Sequence, residues 1–234
     1  MSYWNQFLWV IFPYMMIAIT IIGHVYRYST DQMSWTSRSS EFLEKKSLKW
    51  GSLLFHYGII FVFFGHVLGL LIPESFLTNS IGINNEVYHQ VAISFGGVAG
   101  IATVVGIFIL LFRRYGDKRI SKTSSFGDKF IVILLFLLIG FGIYNTLYYN
   151  LAVGDFNYRL SISPWVRSLF IFSPNPSLMA NVPITYKIHV ILAFLTFGVW
   201  PFTRLVHIWS IPIAYIKRSH IIYRRRCGEV KSNI

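Results

Sequence analysis

The chain has 234 residues, of which 54% are hydrophobic and 13% charged, and its mean hydropathy is +0.54. That balance excludes a soluble globular domain and places most of the chain in lipid. The formal charge of +12 excludes little by itself, but the 21 Lys and Arg residues gather mainly in three clusters between or beyond apolar runs, which is a topology signal rather than a nucleic-acid footprint.

About 20 mostly apolar residues are needed to cross a hydrocarbon core roughly 30 Å thick. The first such run is Gln6 to Tyr26. No basic segment precedes it and it is long enough to span, so it predicts a helix rather than a cleaved signal peptide. Arg27, Arg38, Lys45, Lys46 and Lys49 follow, and the second run is Trp50 to Ile72. The loop from Pro73 to Gln90 has no Lys or Arg. After the third run, Val91 to Phe112, come Arg113, Arg114, Lys118, Arg119, Lys122 and Lys129, and then the fourth, Phe130 to Tyr149. The loop from Asn150 to Lys187 has three basic residues, and its prolines Pro164, Pro174, Pro176 and Pro183 surround the apolar stretch Leu169 to Phe172, which predicts a segment lying along the outer interface. The fifth run is Ile184 to Trp209, and six basic residues follow Ser210.

Basic loops stay on the cytoplasmic side. The expected fold is therefore an all-α integral membrane protein, a single domain over residues 1–234 built as a bundle of five transmembrane helices, with the N-terminus outside and the C-terminus cytoplasmic. No repeat, low-complexity tract or second domain is visible.

Four of the seven histidines fall at membrane depth: His56 and His66 on span two, His189 and His207 on span five. Intramembrane ionisable side chains are costly, so each suggests function. A single histidine could simply hydrogen-bond a neighbouring helix. Two and two on two helices are harder to read that way. The single cysteine, Cys227, lies in the basic tail, and the spans contain no Asp or Glu, so zinc and hard-cation sites lack ligands and covalent haem attachment is excluded. Bis-imidazole ligation of haem iron needs one neutral histidine from each side.

The topology pairs them. His66 lies roughly 24 Å above the inner start of span two and His189 roughly 8 Å below the outer start of span five, so their depths agree. The inner pair, His56 with His207, fits less well: ten residues on span two cover roughly 15 Å, whereas eighteen on span five cover roughly 27 Å and leave an angular mismatch of about 80°. Helix tilt, a tilted macrocycle or a kink at Pro201 must absorb the difference. Gly58, Gly65 and Gly69 on span two and Gly96, Gly97 and Gly100 on span three give either room for a porphyrin or close helix packing.

The segments FHYGIIFVFFGHVLGLLIP and KIHVILAFLTFGVWPFTRLVHIWSIP resemble the two ligand-bearing helices of the gamma subunit of membrane-bound respiratory nitrate reductase, a di-haem cytochrome b. PYMMIAITIIGHVYRY, WTSRSSEFLEKK and FRRYGDKRI extend the likeness over nearly the whole chain. The resemblance implies two haem b groups, His66 with His189 on the outer one and His56 with His207 on the inner. It also implies quinol, menaquinol or ubiquinol, oxidised near the outer haem. An iron-sulfur beta subunit and a molybdenum-containing alpha subunit would dock on the cytoplasmic face of a bacterial cell membrane. Where some relatives place a lysine as a quinone contact, this chain reads EVYHQ. His89 is then the expected quinol contact, with Gly69 on span two nearby, or else an interfacial residue. Arg204, one turn before His207, would pair with a haem propionate or reach the headgroups. His24 and His220 read as interfacial or solvated.

Two rival readings follow from the same residues. A cytochrome b anchor of a hydrogenase or formate dehydrogenase would keep the haems and change the partner. A proton-coupled transporter would need broken helices and buried acids at the midplane, and the spans contain no Asp or Glu.

Overall fold

The structure is a computed structural model describing residues 3–32, 35, 40–82, 84–153 and 156–210. The five expected spans are present, at Tyr3–Thr30, Lys46–Leu71, Glu86–Gly116, Phe126–Tyr149 and Ile184–Phe202. No strand occurs among the described residues. Four spans reach beyond the apolar runs that predict them, and in spans three and four capped polar turns extend the helices. Asn84 accepts the backbone N–H of Glu86 at 3.1 Å to start span three. At the start of span four, Ser125 accepts the Asp128 N–H at 3.1 Å while Asp128 accepts the Ser125 N–H at 3.2 Å.

Span two packs along span three, three against four, four against five, and five against one. Spans two and five, which carry the four histidines, make no comparable contact. They face each other across the open side of an arc. Within the apolar windows of the spans only 11% to 28% of residues are buried, so large side chains such as Phe61, Phe64, Phe95 and Phe108 point outward. Water would not tolerate so continuous an apolar surface, and lipid does.

The glycines settle the close approaches. A Cβ on Gly58 would lie 2.8 Å from the Thr103 backbone nitrogen, and one on Gly100 would lie 2.6 Å from Ile143 Cδ1. Both serve helix packing. A Cβ on Gly65 would meet nothing within 4 Å, so Gly65 keeps the surface beside His66 open.

The helix Ile162–Phe170 crosses one end of the bundle, called the outer end below, and buries Ile162, Trp165 and Leu169. It lies in the loop that the sequence places along the interface, and of the apolar stretch Leu169 to Phe172 it contains Leu169, which is buried, and Phe170, which like Ile171 and Phe172 is exposed. It is fixed to π-helical turns in two spans. Trp165 Nε1 donates to Trp9 O at 3.0 Å in the turn Phe7–Ile11, while Ser163 Oγ donates to Gly69 O at 2.8 Å and Arg167 to Leu70 O at 3.1 Å in the turn Val67–Leu71.

At the inner end, Arg113 is buried and donates to both Glu44 and Ser40: Nε to Glu44 Oε2 at 2.7 Å, Nη2 to Glu44 O at 2.7 Å and Nη1 to Ser40 Oγ at 2.9 Å. Arg114 is also buried and lies 3.9 Å from Asp128. These two arginines read from sequence as topology charges, and they fasten the inner loops as well. Lys118, Arg119 and Lys122 remain exposed.

Candidate functional site

The structure brings the rings of the outer pair close together. The rings of His66 and His189 have centroids 6.1 Å apart and lie within 26° of parallel. The inner pair meets too, with His56 and His207 centroids 6.0 Å apart and planes crossed at 74°. The mismatch in depth and angle disappears because span five is not one helix to Trp209. Its α-helix ends at Val199, Pro201 sits in a 3-10 turn, Thr203 is extended, and a second 3-10 segment, Arg204–Ser210, carries His207. Arithmetic for a continuous helix does not apply across that break.

Span one holds the break in place. Gly23 leaves room for the Pro201 ring, from which a Cβ would be 2.6 Å away. Arg27 donates to the carbonyls of Pro201 at 2.6 Å and Thr203 at 3.0 Å. At the outer pair, Gly142 of span four plays the corresponding part, since a Cβ there would lie 3.0 Å from His189 Cε1. Neither glycine stands out from the span pattern in the sequence, and GFG at 140–142 is the local signal for the second.

All four rings are oriented alike. Nδ1 of His56 lies 2.7 Å from Ser52 O, that of His66 2.8 Å from Val62 O, that of His189 2.9 Å from Leu138 O, and that of His207 2.6 Å from Arg204 O. A carbonyl oxygen only accepts, so each Nδ1 carries the proton and each Nε2 keeps its lone pair. This is the arrangement that prepares a neutral imidazole to ligate a metal. Neither pair can satisfy itself by hydrogen bonding, because both remaining ring nitrogens are acceptors.

His24 makes a useful contrast. Its Nδ1 donates to Thr20 O at 2.7 Å, but its Nε2 already accepts from Trp209 Nε1 at 3.1 Å. It is an aromatic-cluster residue beside Trp35, Trp200 and Trp209. His220 and Cys227 lie outside the described residues.

Two imidazoles on opposite sides of one metal, with bonds of about 2.0 Å and nitrogens roughly 1.15 Å from their ring centres, put the centroids about 6.3 Å apart. Both pairs match that spacing. No group of three or more His, Cys, Asp or Glu occurs among the described residues, so the donor set suits a metal that brings its own equatorial ligands. A porphyrin iron would be such a metal, held by His66 and His189 or by His56 and His207, and spans two and five are not closely packed against each other.

His89 is exposed at the outer start of span three. Its neighbour Tyr88 faces inward instead: a Cβ on Gly69 would be 3.3 Å from the Tyr88 hydroxyl and 2.8 Å from that of Tyr158. Burial first, and then Tyr88, push the Tyr158 phenol above its ordinary range, so it is a neutral hydrogen-bonding group. Arg204 lies 3.4 Å from Asp128 and lines, with Arg27 and Arg114, a polar cavity of about 480 Å³ at the inner end.

Known proteins resemble this chain over most of its length. The Nitrate reductase gamma subunit family matches residues 5–226. The nitrate reductase gamma chain of Bacillus subtilis is 47% identical, over 95% of this chain and 99% of its own length. The respiratory nitrate reductase 1 gamma chain of Escherichia coli is 31% identical over 97% and 100%. An Hdr-like menaquinol oxidoreductase cytochrome b-like subunit of Archaeoglobus fulgidus is 27% identical over 70% of this chain and 49% of its own length. With the match running through both histidine-bearing helices, the chain belongs to the nitrate reductase gamma subunit family, as a multi-pass bacterial membrane protein of electron transport.

Proposed function

We propose that this chain is the quinol-oxidising subunit of a respiratory nitrate reductase and holds two haem b groups, one at each histidine pair. The observation that carries the reading is the common ring geometry: four protonated Nδ1 atoms on backbone carbonyls, and two pairs at bis-imidazole spacing. Bound there, the haems supply one-electron carriers from quinol at the outer pair to the inner pair and on to an iron-sulfur beta subunit, itself joined to a molybdenum-containing alpha subunit. The residues of this chain fix the two sites about 15 Å apart along span two.

The basic loops support an orientation with the C-terminal side in the cytoplasm and the Ile162–Phe170 helix on the outside. Quinol, menaquinol or ubiquinol, then enters at the outer end, where His89 accepts a proton and releases it outward and Gly69 lines the approach. At the inner end Arg204, already fixed by Asp128, is the cation for a propionate. Exposed Lys118, Arg119 and Lys122 and the tail 218–226, which lies outside the described residues, face the partner or anionic lipid. An electron moved inward against an inside-negative potential conserves roughly 2.3 kcal/mol per 100 mV.

The family match favours a nitrate reductase partner over a hydrogenase or formate dehydrogenase. A transporter would not need two ring pairs at metal-ligand spacing. The testing experiment uses the complete complex with His56→Ala. Quinol should still reduce the outer haem, while electron delivery to the partner stops. Undiminished nitrate reduction by quinol in that variant would overturn the route.

A further inference from the structure

Arg159 sits in the outer loop between spans four and five, and its side chain has an unusual environment. It is 8% exposed, yet its Nη2 has no hydrogen-bond partner and it forms no ion pair among the described residues. Its guanidinium carbon lies 4.0 Å from the centroid of the Tyr88 ring. A cation–π contact offsets part of the cost of burying a charge but does not neutralise it.

Its position relates it to the outer histidines. Gly69, against which the adjacent Tyr158 hydroxyl packs, is three residues beyond His66 toward the outer end. Tyr186 is three residues from His189 in the same direction, because span five runs the other way. Asn145 is three residues beyond Gly142, the glycine that lies against the His189 ring. All three stand one helical turn, about 4.5 Å, outside the outer pair. Tyr186 donates to Asn145 O at 3.3 Å, while both side-chain amide atoms of Asn145 are buried without a partner. Four spans and the outer loop thus bring polar groups together one turn outside the outer pair, and Arg159, which has no ion-pair partner among the described residues, reaches this level through Tyr88.

We propose that Arg159 is the positioning cation for a propionate carboxylate of the haem held by His66 and His189. This rests on the haem reading above. A buried guanidinium calls for an anion, and the carboxylates at the porphyrin edge are the anions that a haem at this pair brings. Quinol is neutral, so it could hydrogen-bond to Arg159 but would leave its charge uncompensated. The fixed positive charge also acts on the iron through the low-dielectric interior, favouring the state with one more electron.

The test uses the complete complex carrying Arg159→Gln or Arg159→Lys. Each is titrated with redox mediators at several pH values while both haem bands are followed, and the inner haem serves as internal reference. In Arg159→Gln the outer midpoint potential should shift to lower values and become more pH-dependent, because the unpaired carboxylate takes up a proton more readily. Arg159→Lys should stay near the parent, and the inner midpoint should not move in either variant. An unchanged outer midpoint in Arg159→Gln at every pH would overturn the proposal and leave Arg159 a packing partner of Tyr88. The same unchanged midpoint with weakened binding of a quinone-analogue inhibitor would overturn it in favour of a quinol contact. Loss of the outer haem from both variants would also overturn it, since a charge-preserving change should retain the group. Absence of haem bands from the parent complex would instead sink the haem reading itself.

Discussion

The inner histidine pair depends on a contact made by a different helix, and Gly23→Ala presses on that contact, meeting Pro201 first and the Phe202 ring at 3.3 Å. The added Cβ would lie 2.6 Å from Pro201 Cγ and 2.9 Å from Pro201 Cβ. Carbon atoms settle at about 3.5 Å or more, so spans one and five must part by about 1 Å. The pyrrolidine ring cannot rotate aside as a flexible side chain would. Overpacking of this kind costs about 1–3 kcal/mol, or roughly 5- to 150-fold in an equilibrium constant. The strain falls on the turn Trp200–Phe202 and the extended Thr203, which set the direction of the segment carrying His207. Metal-ligand distances tolerate only about 0.2 Å, whereas the displacement is several times larger. The expected outcome is a complex that loses most of its inner haem and keeps its outer one, read by haem content and by reduced-minus-oxidised spectra. Gly116→Ala is the control, because its nearest new neighbour is at 3.7 Å. A Gly23→Ala complex with two haems and the parent spectrum would refute the reasoning.

Four further outcomes are expected. Trp165→Ala removes a fully buried ring and its bond to Trp9 O, so thermal stability should fall by about 3–5 kcal/mol, with the outer site loosened first. Arg113→Ala leaves Glu44 without its buried partner and should cost about 3 kcal/mol, visible as faster proteolysis around residues 40–45. The Glu44 carboxyl is held below the ordinary carboxylate range, first by the Ser47 N–H and then by Arg113. Because the folded value is depressed, its stabilisation is present above the unfolded carboxylate range and is lost as pH falls through the folded value, so protection of that loop should weaken in acid and Glu44→Gln should flatten the profile. With haem iron held at each pair, the crossed inner rings at 74° would make the iron dπ orbitals more nearly equal in energy than the outer rings at 26°. Electron paramagnetic resonance should therefore show two low-spin signals, with the more anisotropic one absent from His207→Ala.

The five spans and the four histidines were legible because lipid imposes a minimum apolar length and a cost on every ionisable group within it. The outer pair was legible for the same reason, since two uninterrupted helices give reliable depths. The inner pair was only half legible. Pro201 marked the possibility of a kink, but the extended Thr203 depends on Gly23 and Arg27 from another span, which no local pattern reveals. The π-helical turns at Phe7–Ile11 and Val67–Leu71 were invisible for a related reason: they are bonded by an outer helix distant in sequence. Charge counting found Arg113, Arg114 and Arg159 but not their fates. Which loop arginine is buried against Glu44, which lies near Asp128 and which against Tyr88 is decided by tertiary packing.

The central claim, one haem iron between each histidine pair, is tested most directly by counting haem b per chain in the purified complex and in His56→Ala, His66→Ala, His189→Ala and His207→Ala. Two haems are expected in the parent and one in each variant. His66→Ala and His189→Ala should lack the same spectral component, and His56→Ala and His207→Ala the other. Two haems retained in any variant, or components lost in different pairs, would contradict it.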